Sequence, residues 1–588
     1  MAVSAPPPPR RRSSAWVLVL LVVAALFVGV PILFCSLMAG KNVPIENGTV
    51  VTVRLAGEVP EGPPSNPFAK ISFAASGALS LHDLRELATA VKRDDRVAGV
   101  LFEIGPLDVQ FGTVEDIRDV IADIKAKKPV QVLLTSDFID EKSYYAGVGA
   151  DRVVVNPEAG VALNGFDANV AFYAGTLEKL HAKAKFIGFK KYKSAVEPFT
   201  RKDMSAEYRE TLESILGDYH SRMLDTIAAA RGVDKATVQA LFDKGGLTSK
   251  EAVDAKLVDA AGYYDEVEES LRSKGAPDVK EPHPVAGARY LAGHHLPQHG
   301  DRIAVLYASG MITSAAGSGG VFGGEGISGP DLAAAIRDAA NDKSVKAILM
   351  RVNSPGGSAV GSDFIRREIV RAKAKKPVVV SMGGLAASGG YWISMDSDEI
   401  VAQPSTLTGS IGVFFGKFNI NGTYEWAGAH VDEVKVGGAN ADILSPYKDL
   451  TPQQEETMKA QIGGVYHDFV QHVADGRHMK FDGVDDIAGG RVWTGAQGKK
   501  NGLVDEVGGF AVALEETKKR AKISGDVQLQ IFPREKTGLE ALAELLNSGA
   551  TAAEAAQNPP SLESTVLQVK KELSTPAVWA LAPEIEVH

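Results

Sequence analysis

The chain repeats itself. The stretch IKAKKPVQV (Ile124–Val132) returns as AKAKKPVVV (Ala372–Val380), which places Pro377 248 residues after Pro129. Pro404 lies 247 residues after Pro157, and Leu503-Val504-Asp505 lies 246 after Leu257-Val258-Asp259. Three anchors at nearly constant spacing mean a tandem duplication of roughly 240 residues. The fold must therefore be one that a chain can build twice. A residue present in one copy and missing from the other is not needed for folding, so differences between the copies point to chemistry.

Each copy alternates strands with helices. In the later copy, Arg302–Ala308 and Ala347–Val352 read as short apolar strands, Pro330–Ala340 and Ser362–Lys373 as helices, and Val378–Ser381 as a further strand. The earlier copy follows the same order through Gly99–Ile104, Val114–Lys127 and Val130–Leu134. This rhythm predicts an α/β fold with a parallel sheet covered by helices. The expected domains are residues 46–275 and 301–535. Residues 276–300 read as a connector rich in Pro, Gly and His, and 536–588 as a tail without evident chemistry.

A chain of 588 residues is too long for one core, and two large domains fit it. A net charge of −10 gives nothing in favour of a nucleic-acid partner, and none is expected. The single cysteine, Cys35, excludes an internal disulfide and a cysteine-built zinc site. Ala15–Ala39 has no charged residue, and as a helix it would span about 37 Å, enough for a hydrocarbon core of about 30 Å. Arg10, Arg11 and Arg12 precede it, so the first 14 residues are expected in the cytoplasm and everything beyond the membrane-spanning helix 15–39 across the membrane. A cleaved signal peptide is the weaker reading, because the run is long for one and no A-x-A site ends it.

Four motifs carry candidate chemistry. Asn353-Ser354-Pro355-Gly356-Gly357 follows a strand, where adjacent glycines let the backbone turn and expose N–H groups that can hold an oxyanion. The earlier copy has Pro106-Leu107-Asp108-Val109 there, so the glycines are not required for the turn. Ser388, among small residues in Gly384–Tyr391, reads as a nucleophile or, in preference, a helix N-cap; no histidine lies between it and His430. Ser410, in Thr406–Val413, corresponds to Leu163 in the earlier copy, which suggests a role beyond folding, while spacing alone fits a serine in a Gly-rich loop equally well. Lys193, in Tyr192–Phe199, falls on Asn440 in the later copy. A buried lysine can serve as a general base, whereas Lys190, Lys191, Lys193 and Arg201 together also read as a solvated basic face. Gly324–Gly329 fits G-x-G-x-x-G only formally, and His283, His294, His295 and His299 lack the spacing of metal ligands. No metal and no cofactor are expected.

Taken together, YKSAVEPF, NSPGG, AASGGYW, TLTGSIGVF and GGRVWTG followed by GLVD resemble the signal peptide peptidase A family in its long bacterial form, with two tandem protease-like domains. The resemblance spans roughly Asn47 to Arg534. It implies a crotonase/Clp-type α/β fold and a Ser-Lys dyad shared between the copies. Ser410 would be the nucleophile and Lys193 the base. Oxyanion N–H groups would come from Gly357, Gly356 and Ile411, the residue after the serine. It further implies a homotetramer anchored in the bacterial inner membrane, with catalytic domains on the periplasmic side, acting on remnant signal peptides and other extended apolar peptides. The later serine is the one the resemblance selects, although Clp proteases use a serine in a setting like that of Ser388. Nothing in the sequence identifies the group that orients Lys193. Two rival readings stand beside this one: a non-catalytic membrane scaffold on a protease fold, and a crotonase-like acyl-CoA enzyme.

Overall fold

A computed structural model describes residues 45–64, 73, 76–280, 283–294, 299–315, 326–534, 578–583 and 585. The expected membrane span 15–39, the cytoplasmic tail before it, Gly324, Glu325 and His295 lie outside the described residues. No helix among the described residues is long and apolar enough to cross a membrane.

The earlier copy forms a parallel sheet from β1 (Thr49–Gly57), β2 (Val97–Leu107), β3 (Val130–Leu134) and β4 (Arg152–Val155). Strands of such a sheet are covered on both faces and so read as continuous apolar runs. β2 (VAGVLFEIGPL) and β3 (VQVLL) are buried almost throughout, and each fully buried Val, Leu, Ile or Phe contributes about 1.5–3 kcal/mol. Helices Leu81–Arg93 and Phe111–Lys125 pack their apolar faces onto this sheet. The chain then leaves the copy in an outlying strand, β5 (Lys183–Gly188), and returns through the long helix Ala206–Arg231.

β6 (Ala260–Ala261) and β7 (His283–Ala286) complete the first sheet, in the order β7-β1-β2-β3-β4-β6. This corrects one expectation. The segment read as a connector pairs β7 in parallel with β1, from Thr49–His283 to Thr52–Ala286, and carries helix Gly287–Gly293. Four residues without period were enough to form a strand once an apolar partner edge stood beside them.

The later copy repeats the plan with β8 (Asp301–Ser309), β9 (Val345–Ser354), β10 (Gly356–Ser358), β11 (Val378–Ala387) and β12 (Glu399–Ala402). β13 (Leu407–Gly409), β14 (Phe414–Asn419), β15 (Val492–Thr494), β16 (Glu506–Val507) and β17 (Val527–Phe532) follow. β9 lies between β8 and β11, and β17 closes the edge beside β8 as β7 does beside β1. Equivalent tyrosines tie equivalent loops: the Tyr144 hydroxyl donates to Leu257 O, and the Tyr391 hydroxyl to Leu503 O.

Two features lock the copies together. β5 of the earlier copy pairs antiparallel with β14 of the later one, from Lys183–Asn419 to Gly188–Phe414. Arg351 on β9 is wholly buried; its guanidinium donates to Glu61 at 2.8 Å and to Asp116, both from the earlier copy, and to Ser381 and Met382 O of its own. A buried charge is tolerated only when paired and hydrogen-bonded in this way. A last strand, β18 (Val578–Leu581), joins this shared region between β10 and β14.

Candidate active site

The pairing of β5 with β14 decides where Lys193 goes. Lys193 begins the short 3-10 turn Ser194–Val196, five residues after β5 ends, and so enters the later copy from the side. Gly490 (φ +92°) leaves room for it: a side-chain carbon there would come within 2.6 Å of the Lys193 backbone. The sequence motif GGRVWTG contained this glycine, but close approach between distant segments has no local signal.

The Lys193 side chain is buried, and its Nζ donates to Ser388 Oγ at 2.8 Å, Ser410 O at 3.0 Å and Ser410 Oγ at 3.0 Å. Burial pushes its pKa well below the usual lysine value, because removing water penalises the ammonium form. The solvated-face reading therefore does not describe Lys193. It fits Lys190 and Lys191, which sit partly exposed beside Asp485 and Glu207. Asn440, the residue expected at the matching position, lies in an exposed segment.

The two serines differ in setting. Ser388 joins β11 to the helical turn Gly389–Trp392 with φ 56° and ψ −112°, a conformation that L residues rarely adopt. Its side chain makes no capping hydrogen bond, so the N-cap reading does not describe it. Its N–H donates to Gly409 O, which holds the turn. Ser410 (φ 49°) follows β13; its N–H donates to Arg491 O and its carbonyl accepts from Lys193. Ser410 thereby touches the lysine through both backbone and side chain.

The glycines lie against the Ser388 side. A carbon added at Gly356 would fall 2.5 Å from Gly389 N and 3.1 Å from Ala387 O, the residues flanking Ser388. The N–H of Gly356 is engaged by Ser354 Oγ at 3.1 Å, and Ser354 in turn donates to Gly310 O. Gly356 therefore supplies shape, set against the Gly389 N–H that follows Ser388. Ile411 is buried in the core of the later copy, with its carbonyl accepting from Gly490 N.

A cavity of about 1160 Å³ lies between the copies, lined by Ser309, Asn353, Pro355 and Leu385 of one copy and Leu107, Asp108 and Gln110 of the other; Lys193, Ser388 and Ser410 are not in its walls. Among the described residues no three His, Cys, Asp or Glu side chains converge as metal ligands. What the arrangement can do is nucleophilic acyl transfer: a hydroxyl at a backbone turn, a desolvated amine beside it, and backbone N–H groups nearby.

Comparison with known proteins agrees with this chemistry. Residues 122–276 and 370–524 each match peptidase family S49. Protease 4 of Salmonella typhi is 35% identical over 85% of this chain and 82% of its own length. The chloroplastic serine protease SPPA of Arabidopsis thaliana is 31% identical over 82% of this chain and 70% of its own. Protease 4 of Haemophilus influenzae is 31% identical over 75% and 72%.

Proposed function

The chain belongs to peptidase family S49 and is a serine protease, and from that premise we propose a Ser388–Lys193 dyad with Ser410 as the residue that orients the lysine. This replaces the expectation that Ser410 is the nucleophile. The observation that carries it is the contact of a buried, acid-shifted Lys193 with Ser388 Oγ, at a strained turn flanked by Gly356-Gly357.

In this reading, the two N–H bonds of a neutral Lys193 amine point at Ser410 O and Oγ, and its lone pair accepts the Ser388 proton. Ser388 Oγ attacks the scissile carbonyl carbon. The N–H groups of Gly357 and Gly389 hold the developing oxyanion. The ammonium then gives its proton to the departing amine, and water resolves the acyl-enzyme. Substrates are extended apolar peptides, remnant signal peptides among them. This is supported by β10 and β14, which take an extended strand, β18, between them by antiparallel pairing and so form a cleft that selects an extended backbone. The crotonase/Clp-type assignment of each copy, the single-pass anchor at 15–39 in the bacterial inner membrane and a tetrameric assembly belong to the same proposal.

A second reading keeps Ser410 as the nucleophile, favoured by its own 3.0 Å contact with Lys193 Nζ. Labelling with a fluorophosphonate followed by peptide mapping decides between them. Label on Ser388, retained in Ser410→Ala, is the expected result. Label on Ser410 that survives Ser388→Ala overturns the assignment, and no label on either serine favours the scaffold.

A further inference from the structure

The turn that leads into Ser410 is held from the other copy. Gln403-Pro404-Ser405-Thr406 joins β12 to β13, and Ser410 follows β13 directly. The Ser405 N–H donates to Glu115 Oε2 at 2.9 Å, and its hydroxyl donates to Glu115 Oε1 at 2.9 Å. The Ser405 carbonyl accepts from the Tyr219 hydroxyl at 2.7 Å. Every polar group of Ser405 is thus taken by the earlier copy. Gln403 reaches the same way, its Nε2 donating to Asp119 Oδ2 at 2.6 Å and Asp116 Oδ1 at 3.1 Å. Glu115, Asp116 and Asp119 share helix Phe111–Lys125. Its first turn packs closely on the later copy: a carbon added at Gly112 would lie 3.0 Å from Gly384 Cα and 3.2 Å from Thr406 Oγ1.

The matching turn of the earlier copy folds without such a clamp. Asn156-Pro157-Glu158 occupies the place of Gln403-Pro404-Ser405. There Glu158 is exposed, and its N–H is satisfied within the turn by Asn156 Oδ1 at 2.9 Å. Both turns close with the same backbone bond, Ala159 N to Asn156 O and Thr406 N to Gln403 O. The later copy instead uses a carboxyl that is fully buried, 3.7 Å from Arg222 Nε, and burial raises its pKa to about 7. Arg222 also pairs with Asp218, and Tyr219, Arg118 and Tyr145 face Glu115 from their own helices. Desolvating a carboxyl is unfavourable, and a turn that closes without one has no need of it.

We propose that Glu115 and Tyr219 are positioning residues for catalysis: by fixing Ser405 they set the place of β13, and so of Ser410 against Lys193. The inference rests on Lys193 being the base and holds whichever serine is the nucleophile. β13 pairs in parallel with β11, from Leu385–Leu407 to Ala387–Gly409, and Gly409 O accepts from the Ser388 N–H. A slip of β13 therefore moves Ser410 relative to both the lysine and Ser388. Because Ser410 O and Oγ accept from Lys193 Nζ, losing that alignment withdraws support from the ammonium and lowers its pKa further.

The test is kcat, KM and the pH profile on a soluble apolar peptide, with Tm, for the full-length chain in detergent. The variants are Glu115→Ala, Ser405→Ala and Tyr219→Phe, with rates compared well above the raised Glu115 pKa. In Glu115→Ala, kcat is expected to fall about 10- to 100-fold, as small misplacements do. Ser405→Ala and Tyr219→Phe, which keep the carboxylate, are expected to lose less. In all three KM stays unchanged and the acidic limb moves to lower pH. Wild-type kcat and acidic limb in Ser405→Ala and Tyr219→Phe overturn the inference, even if Glu115→Ala fails to fold. A lower Tm with the limb unmoved overturns it too, and reduces the clamp to a structural contact. A rise in KM at constant kcat assigns the turn to substrate binding and likewise overturns it. Full turnover in Lys193→Ala overturns the base itself, and the inference with it, an outcome the three clamp variants cannot produce.

Discussion

The two copies begin an equivalent helix in opposite ways. In the earlier copy Asp140 (φ −87°, ψ 172°) caps the helix Glu141–Gly147, its carboxylate accepting from Ser143 N at 2.7 Å. Glu141, whose pKa burial raises, accepts from Asn164 N and Gly165 N, just beyond Leu163. In the later copy Ser388 stands at the helix start with a strained backbone and no capping bond, and the loop opposite presents Ser410. The earlier copy uses these positions to satisfy its backbone. The later copy turns its hydroxyl away from capping and pairs it at 2.8 Å with a lysine from its neighbour, with a longer contact to Gly412 O at 3.4 Å. Functional sites commonly give up local stability in this way.

The comparison breaks most visibly at the dyad. Ser388→Ala is expected to reduce kcat/KM by about 10⁴-fold or more, as loss of a catalytic serine does elsewhere, with an unchanged thermal midpoint because the side chain caps nothing. Lys193→Arg is expected to be as inactive as Lys193→Ala, since a guanidinium stays protonated. Steady-state kinetics with Tm controls check both, and substantial turnover in the arginine variant would end the neutral-base reading.

Acidity sharpens it next. Lys193 works only as the neutral amine, and burial lowers its pKa. Activity should therefore hold above that lowered pKa and fall tenfold per pH unit below it, read from a kcat/KM profile. Ser410→Ala is expected to cost about 10- to 100-fold through a misaligned lysine, less than the roughly 10²- to 10⁴-fold of losing the general base itself. Because Ser410 Oγ accepts from Nζ, its removal withdraws support from the ammonium, and the acidic limb should move to lower pH. Total loss in Ser410→Ala with survival of Ser388→Ala would reverse the roles.

Two stability measurements complete the contrast. Arg351→Ala leaves Glu61 buried without its ion-pair partner and Asp116 with only Gln403 and Arg85, and is expected to cost about 3–5 kcal/mol in denaturant unfolding. Asp140→Ala removes an ordinary cap and should cost only about 1 kcal/mol, with turnover unchanged. If Asp140→Ala abolished turnover, the division of labour between the copies would be wrong.

The sequence by itself determined the duplication, the α/β rhythm and the small set of residues from which the site is made. These are carried by local chemistry: apolar runs for strands buried on both faces, glycines where backbones must turn, and polar residues that one copy lacks. Ser388, Ser410, Lys193, Gly356 and Gly357 were all visible as residues. Their roles were not, because a role depends on distances between segments far apart in the chain. Lys193 is 195 residues from Ser388 and 217 from Ser410, and both serines sit among small residues, so spacing could not rank them. Only the pairing of β5 with β14 delivers the lysine, and only the folded backbone strains Ser388 and engages the Gly356 N–H. The same holds for β7 and β18, short segments without period of their own. Each becomes a strand because a neighbouring edge has unpaired N–H and C=O groups to satisfy, a demand that exists only once the rest of the sheet has formed.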